Sequence, residues 1–218
     1  MALNKLKFNS LNVTPTAGKT IGFNSSANGL EATFEGGAMV IIKKLTASSS
    51  STLSFVDGSS DVVLDSTYKE YLFIFNNVHP VDNSVQFLIN FRDGGTDYDA
   101  TKTTTLFTAD HSEAGSSDGL TYVTAQDLAQ STDFQPLTIN TGNRSDESCS
   151  GYLHLFNPAS TTFVKHFMAR INNYVSNNYS EDTFTAGYCN TTTAIDGVQF
   201  KFSSGNIDSG TITLYGIN

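Results

Sequence analysis

Residues 70–95 read EYLFIFNNVHPVDNSVQFLINFRDGG, and this stretch decides the fold. Glu70–Val78 is apolar on both faces at its centre, as a strand covered on two sides is. His79-Pro80 is expected to end it, because proline has no N–H to give to a sheet ladder. Val85, Phe87, Ile89 and Phe91 then alternate with Gln86, Asn90 and Arg92, the period of two of a half-buried strand. Asp93-Gly94-Gly95 turns the chain. A buried strand, a short break and a half-buried strand are the signature of layered antiparallel β structure.

The same pattern continues in both directions. Upstream, Met39–Leu45, Leu53–Val56 and Val62–Leu64 read as strands, parted by the serine run 48–51 and by the turn Asp57-Gly58-Ser59-Ser60. Downstream, strands are expected at Thr103–Ala109, Pro136–Asn140, Gly151–Phe156, Thr162–Ile171, Phe184–Cys189, Ala194–Phe202 and Thr211–Ile217. Residues 110–120 are acidic and rich in Gly and Ser, which predicts a loop, and Ala125–Gln130 predicts a single helical turn. Evenly spaced short strands with turn residues between them make a sandwich or a barrel. The expected fold is all-β, a jelly-roll-like antiparallel β-sandwich over residues 36–218, preceded by an extended N-terminal arm over residues 1–35. Tyr71-Leu-Phe-Ile-Phe-Asn76 echoes Tyr152-Leu-His-Leu-Phe-Asn157, which is either a pair of equivalent Greek-key strands or a coincidence of aromatic strands.

Composition agrees. The 218 residues include 25 Ser, 27 Thr, 19 Asn and 17 Gly, types that favour turns and strands over helix interiors. Only 15% are charged, so the Glu, Lys and Arg that clothe the wet face of long helices are missing. With 16 Phe and 9 Tyr there is ample apolar surface for a core. The net charge of −9 and pI near 4.7 leave no basic stripe for phosphates, so nucleic acid is not an expected partner. No run approaches the ~18 apolar residues of a membrane span. The N-terminus has lysines without a following apolar run, so no signal peptide is expected and synthesis in a host cytoplasm is. Cys149 and Cys189 read as small buried thiols, with one bridge between neighbouring strands left open.

Catalytic and ligand motifs are sparse. Histidines 79, 111, 154 and 166 follow no metal-ligand spacing. No nucleophile elbow, P-loop or dinucleotide fingerprint occurs. Asp93-Gly-Gly-Thr-Asp97-Tyr-Asp99 offers Asp93, Asp97 and Asp99 as hard oxygen ligands for calcium, although it departs from the EF-hand spacing. Tyr174 and Tyr179, with Asn177 and Asn178 beside them, are the candidate contacts for a glycan: tyrosine offers a ring face and asparagine a planar amide. Glycoside hydrolysis needs paired carboxylates on rigid strands, whereas the acids here fall in turns.

Near the C-terminus, Ala194-Ile-Asp-Gly-Val-Gln-Phe-Lys-Phe-Ser-Ser-Gly-Asn-Ile-Asp-Ser-Gly-Thr-Ile-Thr-Leu-Tyr-Gly-Ile217 resembles the C-terminal hairpin of virion-associated β-sandwich structural proteins of marine tailed bacteriophages. The strings Tyr68–Pro80, Phe156–Phe167 and Ala186–Thr192 are similar as well, and the likeness spans most of the chain. It implies a non-enzymatic structural protein on the phage particle surface, of tail-fibre or capsid-decoration type. The expected partners are copies of itself as a homo-oligomer, other virion proteins and, through the loop tyrosines, a host surface glycan. A carbohydrate-binding module and a polysaccharide hydrolase are the alternatives. No cofactor is expected beyond the calcium ion that Asp93, Asp97 and Asp99 could hold.

Overall fold

Burial with a period of two governs the long strands: from Lys165 to Val175 every second side chain points into the protein. The structure is a computed structural model that describes residues 20–23, 26, 28–34 and 38–218. The chain divides into two units, residues 1–40 and 41–218. In the first, β1 (Thr20–Phe23) pairs antiparallel with β2 (Leu30–Phe34). The arm expected over 1–35 lies, through residue 19, outside the described residues.

The remaining strands are β3 (Met39–Thr46), β4 (Leu53–Val56), β5 (Glu70–Pro80), β6 (Phe87–Arg92), β7 (Lys102–Ser112), β8 (Asp118–Tyr122), β9 (Gln135–Pro136), β10 (Cys149–Phe156), β11 (Lys165–Val175), β12 (Tyr179–Cys189), β13 (Gly197–Phe202) and β14 (Ile207–Ile217). They form an eight-stranded sheet in the order β3-β14-β5-β10-β11-β12-β7-β8 and a four-stranded sheet in the order β4-β13-β6-β9. The protein is an all-β sandwich of two antiparallel sheets. The hairpins β7–β8 and β11–β12 both extend the larger sheet at one side. Without them, four strands remain in each sheet, and the chain passes repeatedly from one sheet to the other.

The core between the sheets is built on phenylalanine. Phe73 and Phe75 point inward from β5, Phe55 from β4, Phe87 from β6 and Phe200 from β13, all 2% exposed or less. Phe200 touches the rings of the other four at centroid distances of 5.2–6.3 Å. Toward the extension the small sheet contributes Phe91, which packs on Phe167 of β11 at 4.9 Å, and β9, whose Gln135 accepts from Thr104 Oγ1. There the inner face carries threonines, and segment 124–147 covers it with backbone. Leu128 N–H donates to Thr104 Oγ1 at 2.8 Å, Asn173 Nδ2 donates to the Ile139 carbonyl at 3.0 Å, and Thr185 Oγ1 donates to the Pro136 carbonyl. Buried hydroxyls and amides here satisfy loop groups that an apolar face would leave unpaired. The excess of Thr is therefore partly a second, polar core.

Two buried lysines pin loops to this region. Lys102 Nζ donates to the Asp133 carbonyl at 2.7 Å, and Lys165 Nζ donates to the carbonyls of Thr191 and Thr193. Burial pulls the Lys102 pKa down to about 8, against the attraction of Cys189, Asp133, Asp99 and Asp93. Cys189 lies opposite Lys102 and Lys165 in register. Cys149 and Cys189 are both free and buried, and burial pushes the Cys189 thiol up to about 12.

Several sequence expectations change. Val62–Leu64 is not a strand, although Val62 and Leu64 are buried; Asp57 Oδ1 accepts the Leu64 N–H at 2.8 Å and holds the segment as a plug. β5 runs through His79 to Pro80, where its register with β14 slips between Ile207 and Ser209, an irregularity of the kind that tolerates proline. β6 is buried on both faces instead of one. Its outer side meets segment 132–136, where Asn90 Nδ2 donates to the Thr132 carbonyl at 2.9 Å. Residues 110–120 belong largely to the β7–β8 hairpin. The turn at 203–206, with Gly205 at φ 66°, joins no hairpin: β13 and β14 lie in different sheets. The echoing strings pair with each other in β5 and β10 but face opposite ways. Tyr71, Phe73 and Phe75 point inward, whereas Leu153 and Leu155 do so in the second. A one-residue offset reverses every side chain, which favours coincidence over equivalence.

Candidate functional site

Register across the large sheet composes its outer face. Ile74, Tyr152, Arg170, Phe184, Phe107 and Tyr122 stand opposite one another on β5, β10, β11, β12, β7 and β8. Strands are about 4.8 Å apart, which is a stacking distance for flat groups. The Phe107 and Phe184 rings are parallel within 5° with centroids 4.7 Å apart. The Arg170 guanidinium lies 4.9 Å from the Phe184 ring and bonds Asp182 Oδ2 at 2.7 and 2.9 Å. One row along, Ala186 sits beside Met168 and makes a dip between larger side chains. Two clefts of about 400 and 510 Å³ open here, sharing Phe156 and Met168. His154 hydrogen-bonds the Glu70 carboxylate at the edge of the first.

This face is wet and apolar together. Leu120 is 76% exposed, Tyr122 58% and Met168 52%. Stacked rings turn their edges outward, and Phe184 already has Arg170 on one face and Phe107 on the other.

The glycan candidates gather at the far end of β11 and β12. Tyr174 and Tyr179 line one cleft of about 360 Å³ together with His111, Glu113 and Asn172. A hydrogen bond to Glu113 raises the Tyr174 phenol above its usual pKa. Asn178 is in the β11–β12 turn at φ 67°, where its Oδ1 accepts from Arg144 Nη1 at 2.9 Å. Asn177 lines a different cleft, on the other face of the sheet, which Tyr179 also borders.

The calcium candidates do not come together. Among the described residues no group of three His, Cys, Asp or Glu side chains is placed to hold a metal ion. Asp97 Oδ1 accepts from Thr96 Oγ1 at 3.4 Å, while Asp93 and Asp99 act on Lys102 as counter-charges. The base of the turn is fixed by Arg92, whose Nε donates to Asp196 Oδ1 at 2.8 Å.

No family model, curated protein or solved structure matches the chain. Its chemistry has to be read from its own side chains.

A carboxyl pair that the sequence reading missed borders the cleft of Asn177. Asp110 on β7 and Glu181 on β12 are directly opposite in register and point to the same face. Side chains so placed have Cβ atoms ~4.5–5.5 Å apart. Burial raises the Glu181 pKa to about 7, and the Asp110 charge adds to this; the Ile139 backbone and the Asn173 amide oppose it. The signal in the sequence was the alternation of β7, which continues from Thr104, Leu106 and Thr108 to Asp110 and Ser112 instead of stopping at Ala109.

A pH dependence follows. Glu181 has an unfolded value near 4.5 and a folded value near 7. The folded chain therefore holds a proton that the unfolded chain gives up, and stability is lost as pH rises through about 7. Glu181→Gln should melt at or above the wild-type temperature at pH 8 and close to it at pH 5. Parallel melting curves of the two proteins across this range would exclude the assignment.

Proposed function

We propose that the protein is a non-enzymatic structural protein of a bacteriophage virion surface, of tail-fibre or capsid-decoration type, that assembles as an oligomer on the particle. The observation that carries this reading is the outer face of the large sheet, where a row with four aromatic rings crosses six strands and Tyr122, with Leu120 and Met168 in neighbouring rows, stands in water. A face of this kind is a contact surface in search of a flat partner, and closed homo-oligomers are the commonest assemblies. The resemblance of residues 194–217 to phage virion proteins points the same way. The passage of eight strands between two four-stranded layers supports a jelly roll enlarged by two inserted hairpins. Among the described residues no helix is long and apolar enough to cross a membrane.

The first test is incorporation. Chain lacking residues 1–30 should keep the melting transition of the sandwich but be absent from purified particles. Met168→Glu on the full chain should fold normally and shift the oligomer toward monomer in sedimentation. Normal incorporation together with an unchanged oligomer would overturn the proposal.

Carbohydrate binding is a second reading, favoured by the cleft that brings Tyr174 and Tyr179 together. A glycan-array signal that disappears in Tyr174→Ala would establish it, and a blank array would remove it.

A further inference from the structure

The large sheet ends on a strand that carries no protection. β8 is its last strand, paired only with β7, and all of its residues are exposed. Val123 N–H donates to the Leu106 carbonyl at 3.0 Å and Ser112 N–H to the Ser117 carbonyl at 2.8 Å, which fixes the alternation of the ladder between them. Gly119 and Thr121 turn their backbone groups to β7, whereas Asp118, Leu120 and Tyr122 turn theirs away from it. Among the described residues no other segment pairs with the outward N–H and C=O groups of these three.

Open edges of this kind join other strands unless something blocks them, and lysine, proline, bulges and covering loops are the usual blocks. Two other edge strands of this fold have them: β3 carries Lys43 and Lys44, and β9 is Gln135-Pro136. β8, Asp118-Gly-Leu-Thr-Tyr122, has no lysine and no proline, and its register with β7 is regular. The Tyr122 ring does not cover the edge either. Its hydroxyl bonds Asp127 and accepts from Thr105 Oγ1 at 3.3 Å, so it reaches back over β7.

The same residues say which strand fits. An antiparallel partner of identical sequence meets β8 across a two-fold axis. With the axis at Leu120, Leu120 faces its own copy and Asp118 faces Tyr122 of the second copy. All three outward residues then pair, each pair exchanges two hydrogen bonds, and no carboxylate opposes another. Other registers leave outward groups unpaired, and centring on Asp118 sets two like charges face to face, which is destabilising. Leu120 stands beside the small Ala109 on β7 and is 76% exposed. A second Leu120 fills its open side.

We propose that two copies of the chain pair edge to edge through β8, antiparallel about a two-fold axis at Leu120, so that the large sheet runs on from one copy into the next. The proposal rests on the reading of the protein as an oligomer and names one contact within it. A two-fold contact closes on itself, so one partner satisfies the edge and no strand remains open at the junction.

The test uses the full chain. Sedimentation should give a wild-type mass that is a multiple of 23.5 kDa. Leu120→Pro removes only an N–H that points away from β7, and Leu120→Lys supplies the missing block. Both should keep the wild-type melting transition and halve the mass of the assembly. Cysteine pairing reads the register, undisturbed by Cys149 and Cys189, which are buried. On oxidation Leu120→Cys should give a crosslinked dimer, Asp118→Cys alone should not, and a mixture of Asp118→Cys with Tyr122→Cys should. An oligomer that survives both Leu120 substitutions, or that crosslinks in Asp118→Cys and not in Leu120→Cys, would overturn this contact and leave the oligomer reading standing. A wild type that is monomeric at every concentration would overturn both. A monomer whose β8 amides gain protection from hydrogen exchange only when other particle proteins are added would assign the edge to a foreign strand and overturn the self-pairing.

Discussion

Phe200→Ala should destabilise the sandwich by about 4 kcal/mol, within the range for deleting a fully buried Phe ring. Phe200 is 0% exposed and stands where β13 faces β5, with Phe55, Phe73, Phe75 and Phe87 around it. Its removal leaves a cavity bounded by four rings anchored on three strands, β4, β5 and β6, in two sheets. Those strands cannot all move inward, because their ladders fix them, so the space stays open. Edge-to-face contacts add to the loss, at roughly 0.5–1.5 kcal/mol for each aromatic pair beyond area burial. Phe200→Leu keeps much of the volume and should cost about half as much. Equilibrium denaturation with urea measures both. A cost for Phe200→Ala near 1 kcal/mol, the size of an ordinary surface-proximal change, would show that the core is not organised around this ring.

Gly210→Ala should cost about 3 kcal/mol or more, while Gly58→Ala should cost only about 1 kcal/mol. Both glycines have positive φ, 107° and 70°. The difference is in what a Cβ would meet. At Gly58 nothing lies within 4 Å. At Gly210 the new atom would press on the Asn77 carbonyl oxygen and approach Val78 Cα to 2.7 Å, and both belong to the backbone of the neighbouring strand. β14 and β5 slip register at Ser209–Thr211, and Asn77 is itself at φ 50°, so this irregular pairing depends on the missing side chain. Relief would require the two strands to part in the middle of the sheet. Denaturation of the two variants side by side separates backbone strain from collision. Equal costs would mean that the strands yield freely at this point.

Most strands were legible in the sequence because their side chains alternate or run apolar. Phe87, Ile89 and Phe91 announced β6, and Val198, Phe200 and Phe202 announced β13. The misreadings share one cause. Val62 and Leu64 look like a strand because they are apolar and buried, yet burial alone supplies no ladder partner. Gly205 promises a tight turn, but a turn does not say whether the chain returns within its own sheet or crosses to the other. Asp93, Asp97 and Asp99 are close in the chain and point to different partners, whereas Asp110 and Glu181 are far apart in the chain and face each other.

Composition and periodicity by themselves determined that this protein is all-β, that phenylalanine fills its core and that threonine lines its strands. These are local properties, set by what one residue and its near neighbours do to backbone angles and to water. Only the tertiary structure decided which strands pair and in what register. From register come the stacked row Tyr152, Arg170, Phe184 and Phe107 on the outer face, and the opposed carboxyls of Asp110 and Glu181 in the polar cleft. Sites made of cross-strand neighbours are invisible in the linear chain, because the ~4.8 Å between strands joins residues that the sequence keeps dozens of positions apart.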